Sequence, residues 1–360
     1  MWIWQIESPG PDGAGEVALD DLYRPPPRRR RFRPLWRWLR RRWRRVVLVV
    51  LVLVVVAAGL DAALVWRRID KIDVEVQGSP PGGTTFLLVG SDSREYFGSE
   101  RDFGQFGTVE DNPGERADVV LAVRVRDDGS TSLLKLPRDL LVMDETYSPQ
   151  RLASALVEGD QALVDTLCRS LGLAVDHYVL VRLPGLRSII DELGGFEVTV
   201  DHPTRDPVTG LRLDEGTTLL DGNETLSYIG ARNLEVQIDG EWVPQTAGDD
   251  RASHAAAVLT VLGQQLDVSW RHPIDAHRRL WVLLGGVSAD NGLGPFDALA
   301  LRSALAGLKD AGELSLPGIT TPGDIPTDEL TDDAGKVLAE FDGPEPSSKC
   351  EPHLRQATLR

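Results

Sequence analysis

The sequence predicts an α/β fold: a central mixed β-sheet covered by helices on both faces, outside a single N-terminal transmembrane helix. Three observations predict it. The first is an apolar stretch from Val46 to Trp66, broken only by Asp61, whose length matches the roughly 20 helical residues needed to cross a hydrocarbon core once. The second is the twelve arginines between Arg24 and Arg45, against only Arg67, Arg68 and Lys71 close behind the stretch. This bias keeps the N-terminus cytoplasmic. The third is an alternation of strand-like and helical runs over the remaining chain, the pattern of a sheet packed between helices.

Residues 1–45, rich in Pro, Gly, Asp and then Arg, have little apolar periodicity and read as a disordered cytoplasmic tail. Residues 46–66 are the signal anchor. A cleaved signal peptide would have a shorter apolar region and a small-residue cleavage pattern, and none is evident before Trp66. Asp61 lies near the outer end, where its carboxylate can snorkel to the interface. Residues 67–84 form a linker. The extracytoplasmic domain, 85–320, opens with Thr85-Phe-Leu-Leu-Val-Gly90, an apolar run closed by glycine. Val119 to Arg126 and Thr131 to Leu136 read as strands of a hairpin with an Asp-Asp-Gly turn. Leu156 to Leu171 has helical spacing, His177 to Leu183 reads as a strand, Pro184 to Leu193 as a helix opened by proline, and Phe196 to Val200 as a strand. Four helices follow, at Asn223 to Ile229, Ala252 to Leu266, Pro273 to Leu284 and Phe296 to Leu308. Residues 321–360 lose periodicity and gain Pro, Asp and Ser, so they read as a flexible tail.

The net charge of −16 conceals two opposite halves, because residues 1–66 hold 12 basic and 6 acidic groups, leaving 27 basic and 49 acidic groups outside. Such an exterior repels a phosphate backbone and argues against nucleic acid as a partner. The arginine run beside a membrane span reads as topology and inner-leaflet contact. The two cysteines, Cys168 and Cys350, both fall outside, where a disulfide is permitted; Cys168 also sits in an apolar helical pattern that suits a buried thiol. Neither has a neighbour at zinc-ligand spacing.

Three loops place charge at strand ends: Gly90-Ser91-Asp92-Ser93-Arg94, Arg116-Ala117-Asp118 and Pro137-Arg138-Asp139. Carboxylates so placed suit a hard cation such as Mg2+, and guanidinium groups pair bidentately with phosphate oxygens. Singly, each is more often a cap or a loop-end ion pair. Jointly they suit a metal-bound diphosphate.

At this point the chain resembles a known family. The order Leu87-Leu-Val-Gly-Ser-Asp-Ser-Arg94, then Arg116-Ala-Asp118 before a strand, then Leu133-Leu-Lys-Leu-Pro-Arg-Asp139 is similar to the LytR-CpsA-Psr family of envelope glycopolymer transferases. Asp176-His-Tyr-Val-Leu-Val181, Asp191-Glu-Leu-Gly-Gly-Phe-Glu-Val-Thr-Val200 and Leu219-Leu-Asp-Gly-Asn-Glu-Thr-Leu-Ser-Tyr228 resemble its later segments. The likeness covers roughly Thr85 to Pro317. It implies a phosphotransferase that moves a glycopolymer from a polyprenyl diphosphate carrier onto peptidoglycan. Carried over by motif, Asp92 and Asp118 would bind magnesium, while Arg94, Arg116, Arg138, Arg232 and Arg251 would hold the diphosphate, the last three as catalytic groups.

Departures from the family pattern are concentrated after Tyr228. Gly230 stands for the first arginine of an Arg-x-Arg pair completed by Arg232, and Gly248-Asp-Asp-Arg251 replaces Asp-x-Gly-Arg. His254-Ala-Ala stands where the family carries Arg-Gln-Gln, and Arg151-Leu-Ala-Ser-Ala where it carries Lys-Ile-Asn-Ala-Ala. An acidic segment from Asn233 to Gly248, with Trp242, separates the two arginines. The donor side is therefore better kept than the recognition surface around it.

Positioning and electrostatic stabilisation would dominate such chemistry. Asp139 and Asp250 are weak candidates for a base and better ones for ion-pair partners; no histidine has an evident partner, and no Gly-x-Ser-x-Gly elbow exists. The stripes Leu156, Leu163, Leu167 and Leu186, Ile189, Ile190, Leu193 have the spacing of a polyprenyl slot or, more commonly, of core. Two other readings use the same residues: a non-catalytic lipid-binding regulator, and a diphosphatase with water as acceptor. The Ala, Gly and Arg content looks like a high-GC actinobacterium, which would suggest arabinogalactan or a related wall polymer.

Overall fold

The computed structural model describes residues 33–93, 114–231, 233–245, 251–265, 273–308, 312–316, 318–321, 327–331, 333–342 and 350. The chain divides into two units, 1–60 and 61–360. The described part of the first belongs to helix α1 (Arg33–Trp66). Its segment Arg42–Trp66 is long and apolar enough to cross a membrane. Residues 33–45, expected in the disordered tail, are thus helical: Pro34 falls in the first turn, where its missing N–H costs no bond, and Arg, Leu and Trp then extend the helix.

In the second unit the strands run, in chain order, β1 (Asp70–Ile72), β2 (Gly83–Ser91), β3 (Ala117–Arg126), β4 (Thr131–Leu136), β5 (Leu141–Met143), β6 (Pro149–Arg151), β7 (His177–Arg182), β8 (Phe196–Val200), β9 (Thr204–Arg205), β10 (Arg212–Leu213), β11 (Gly216–Leu220), β12 (Glu235–Ile238), β13 (Glu241–Pro244), β14 (Val287–Asp290), β15 (Gly312–Ser315), β16 (Gly318–Thr321) and β17 (Thr327–Leu330). The helices are α2 (Leu152–Ala155), α3 (Asp160–Leu171), α4 (Leu183–Leu193), α5 (Gly222–Gly230), α6 (Arg251–Gln265), α7 (Pro273–Gly285), α8 (Pro295–Ala306) and α9 (Ala334–Asp342).

A seven-stranded mixed sheet, ordered β1-β14-β7-β2-β3-β4-β15, forms the centre. Side chains alternate between its faces. Phe86 and Leu88 of β2 join Val119, Leu121 and Val123 of β3 on one face, under α4, α6 and α8; Leu87, Val89, Val120 and Ala122 join α3 and α9 on the other. Burial on both faces is why these strands read as continuous apolar runs rather than alternating ones. Each fully buried side chain of this kind is worth about 1.5–3 kcal/mol, so truncating Leu121 would cost more than any surface change.

Three expectations change, and one open choice is resolved. The linker 67–84 contains β1, which pairs in parallel with β14 and is followed by the buried Val74. The helical run from Leu156 is interrupted at Gly159, whose φ of 118° breaks it into a 3-10 turn and α3. The two stripes take the commoner of their two readings: Leu156, Leu163 and Leu167 are buried in one core cluster and Ile189 and Ile190 in the other, with Leu186 and Leu193 partly buried against it. The tail from residue 321 is not featureless, since β17 pairs with β16 and α9 buries Leu338 and Phe341. Cys350 beyond it forms a disulfide with Cys168 of α3. The acidic segment after Arg232 forms the β12–β13 hairpin, with Arg205 stacked 4.1 Å over Trp242.

Candidate active site

Strand direction gathers the charged loops. β2 and β7 run parallel and end side by side at Ser91 and Arg182, β3 starts antiparallel beside them, and β4 returns to the same edge. Antiparallel β14 and its parallel neighbour β1 begin there too. Among the described residues, Asp70, Asp92, Glu115, Asp118, Asp139, Arg116, Arg138, Arg151 and Arg182 therefore cluster at one end of the sheet and its adjoining loops.

Asp118 owes its place to a bulge. Gly90 pairs with Val119 but Ser91 with Ala117, so Asp118 is the extra residue of β3, and such a residue is re-aimed out of the ladder. A side chain at Gly90 would put its Cβ 3.2 Å from Val119 Cβ, so the close approach beside the bulge favours glycine. Across β3 and β4 the last pair is Val120 with Leu136; beyond it β4 gives way to a turn that carries Arg138 and is closed by the Leu140 N–H to the Pro137 carbonyl at 3.1 Å. There the Arg138 guanidinium donates to the Asp118 carboxylate, with Arg138 only 13% exposed.

Asp92, just past β2, is fixed by β3. Its N–H donates to the Arg116 carbonyl at 3.1 Å, and the Arg116 N–H donates to Asp92 Oδ1 at 2.8 Å. Asp139 lies 3.5 Å from Arg138 Nε and 3.3 Å from Arg151 Nη1, so the ion-pair role holds for it. The Arg138 carbonyl accepts from Ala153 N–H at 2.8 Å, tying this loop to α2. Arg94, Arg232 and Asp250 lie outside the described residues. Arg251 is the first residue of α6, with its side chain outside them as well.

Sequence reasoning missed a second network on this edge. Glu115 accepts from the buried Ser91 hydroxyl and from Arg182 Nε at 3.0 Å. Arg182 Nη1 donates to Ser288 Oγ at 3.0 Å, and Ser288 Oγ donates to Asp70 Oδ2 at 3.2 Å. The rule that selected the three loops, a charge closing a strand, also fits Arg182. Reading the strand through Leu183 hid it.

Magnesium fits the donor set. It is commonly held by one or two carboxylates with substrate phosphates and water, and Asp92 and Asp118 are two carboxylates at one edge. Among the described residues no three acidic, histidine or cysteine side chains form a metal cluster. Of the departures, His254 lies with its ring centroid 4.3 Å from that of Tyr228, which in turn meets Phe196 at 5.7 Å.

The model of the LytR_cpsA_psr family matches residues 61–241. Arg251 lies beyond that match; the other six predicted site residues lie within it. The chain is 33% identical over 189 residues to the probable cell wall biosynthesis protein LcpB of Corynebacterium glutamicum, covering 52% of this chain and 45% of that one. With the polyisoprenyl-teichoic acid–peptidoglycan teichoic acid transferase TagU of Halalkalibacterium halodurans it shares 28% identity over 222 residues, 56% of this chain and 67% of that one. The chain thus spans under half the length of the Corynebacterium relative. Among solved structures it resembles a LytR-Csp2A-Psr enzyme from Actinomyces oris with a TM-score of 0.61 and 29% identity, over 76% of this chain and 96% of that one. The fold also matches Bacillus subtilis TagT at a TM-score of 0.52 and 18% identity, over 76% and 100% of the two chains.

Proposed function

The chain belongs to the LytR-CpsA-Psr family, and from that membership we propose that it is a membrane-anchored phosphotransferase that moves a glycopolymer from a polyprenyl diphosphate carrier onto a peptidoglycan hydroxyl. The observation that carries the reading is the meeting of Asp118 and Arg138 beside Asp92 and Arg116 at one sheet edge. Relatives whose names specify teichoic acid transfer to peptidoglycan support the reaction class.

In this reading Arg116 and Arg138, with Arg94, Arg232 and Arg251, bind and orient the diphosphate oxygens. Planar guanidinium groups match them bidentately. The same edge carries carboxylates that would repel a diphosphate, and magnesium on Asp92 and Asp118 would supply the compensating charge. The acceptor hydroxyl oxygen forms a bond to the phosphorus adjoining the glycan as the bond to polyprenyl phosphate breaks, and the hydroxyl proton leaves to solvent or an acceptor group. Arg138, Arg232 and Arg251 stabilise charge on the transferring phosphate, work that is mainly positioning and electrostatics.

The anchor suits a donor confined to a membrane. Asp70, four residues beyond Trp66, lies within the site's hydrogen-bond network through Ser288, so the chain enters the domain at the reactive edge.

The test is product analysis with the full chain, magnesium, a polyprenyl diphosphate glycan and peptidoglycan. A phosphodiester-linked conjugate is the expected product. Glycan phosphate released without conjugate would replace transfer by hydrolysis, and lipid binding without turnover would make the protein a regulator.

A further inference from the structure

The β12–β13 hairpin stands between two arginines that the reading above gives to the diphosphate. β12 opens at Glu235, just past Arg232, and β13 closes at Pro244, shortly before Arg251. The Gln245 N–H donates to the Leu234 carbonyl at 2.8 Å, so the chain leaves the hairpin where it entered, two residues beyond Arg232. Positive φ at Asp239 (53°) and Gly240 (88°) closes the tip in a two-residue turn of the kind that keeps paired strands in register. Trp242 stands about 10 Å out along the strand from that base.

Register assigns the side chains to two faces. Val236, Val243 and Thr204 of β9 share one with Leu234, which packs on the core. Arg205, Glu235, Gln237, Trp242 and Pro244 share the other, turned away from the core. There Glu235 holds the Arg205 guanidinium at 2.7 Å, and the guanidinium covers one face of the Trp242 ring. Trp242 stays partly exposed on the edge strand of its sheet, with Gln237 directly across from it. The indole is thus fixed before any ligand arrives. An aromatic plane that receives the C–H face of a sugar, beside polar groups that meet its hydroxyls, is the chemistry of a carbohydrate subsite. Charge narrows the sugar: Asn233 to Gly248 carries Glu235, Asp239 and Glu241 and no lysine or arginine. A polyanionic chain is repelled here, and an uncharged one is not.

We propose that the outward face of this hairpin binds the donor glycan beyond its first sugar, with Trp242 as the stacking platform, and selects an uncharged glycan over a polyanionic one such as a polyol phosphate. The inference rests on the diphosphate reading above and names the substrate class for it. The diphosphate joins carrier to glycan, so a surface built between its arginines lies along the path of the glycan out of the site.

The experiment measures transfer to peptidoglycan by the full chain with magnesium and three polyprenyl diphosphate donors: a single sugar, a neutral oligosaccharide, and that oligosaccharide extended with glycerol phosphate. The expected wild-type kcat/KM is at least about tenfold higher for the neutral oligosaccharide than for the phosphate-extended one. Asp239→Asn with Glu241→Gln should narrow that gap severalfold. Trp242→Ala should raise KM for the neutral oligosaccharide by about tenfold, the size of one aromatic contact, while leaving the single-sugar donor within about twofold. Trp242→Phe should recover most of the loss. Equal losses on all three donors would make Trp242 a brace of the hairpin and overturn the inference. A raised KM for peptidoglycan with none for the donor would put the acceptor on this face and overturn it as well, as would a wild type that uses the phosphate-extended donor as readily as the neutral one. A wild type that transfers none of the donors overturns the phosphotransferase reading together with this one.

Discussion

Arg138, in the turn that follows β4, donates to Asp118, the bulged residue of β3. In the proposed reading, a guanidinium already held by a carboxylate partner meets the diphosphate preorganised. Replacing Arg138 by Ala should lower transfer by about 10²–10³-fold, the usual cost of one preorganised charge-stabilising donor. Asp118→Asn should show a comparable loss, together with a weaker magnesium dependence. Both sites are at the rim of the core, so thermal unfolding should move by only a few degrees. Rates of conjugate formation beside melting curves check this, and wild-type turnover in either variant would end the assignment.

Glu115 joins Ser91 to Arg182, so it acts on the site through the strand ends that carry Asp92 and Arg116. Glu115→Ala leaves a half-buried guanidinium short of its ion pair and a buried hydroxyl short of an acceptor, at a cost of about 1–3 kcal/mol. Transfer should fall about tenfold to a hundredfold, with KM for the lipid donor rising more than kcat falls. Glu115→Gln, which can still accept from Ser91, should recover part of the loss. Equal behaviour of the two variants would show that only the charge matters.

The strands were legible because both faces of β2 and β3 are buried, which leaves runs such as Phe86 to Val89 uninterrupted. The site loops were legible for the opposite reason: Asp92, Asp118 and Arg138 break those runs with charge. Partnerships across the chain left no local trace. Glu115 and Arg182 are 67 residues apart and His177 and Asp290 are 113 apart, so only the strand order brings them together. Helix α9 escaped notice because Leu338 and Phe341 offer too short an apolar pattern between polar segments, and what holds it is packing on a distant face.

The Cys168–Cys350 bridge ties the end of the chain to α3 across 182 residues. Its loop is long, and closing it restricts the unfolded chain; removing such a bridge typically costs about 2–5 kcal/mol. The paired substitution Cys168→Ala with Cys350→Ala should lower the melting temperature by about 4–15 °C. The same fall should follow reduction of the wild type, and α9 should become the first segment to exchange its amide hydrogens. Transfer at 25 °C should change little, because the bridge and α9 lie on the sheet face away from α4 and α6. A large activity loss in a variant still folded at that temperature would place α9 in the reaction.

His177 and Asp290 form a titrating pair, at the far end of β7 from Arg182. Burial works against charge on His177, but its hydrogen bond and attraction to Asp290, 3.3 Å away, outweigh burial and raise its pKa above the ordinary 6.5. Burial likewise works against charge on Asp290, yet hydrogen bonds from His177 and the Tyr178 N–H bring its pKa below 3.8. The signs follow by linkage. The histidine's contribution to stability is complete below its unfolded pKa and is lost as pH rises through its raised folded value. The aspartate's contribution is present above its unfolded pKa and is lost only as pH falls through its depressed folded value. Stability from the pair therefore peaks in mildly acidic solution and declines through neutrality. The melting temperature of His177→Gln should lie furthest below wild type near about pH 5.5 and approach it by about pH 8.5. A gap of constant size across that range would show that His177 contributes packing and hydrogen bonding without charge.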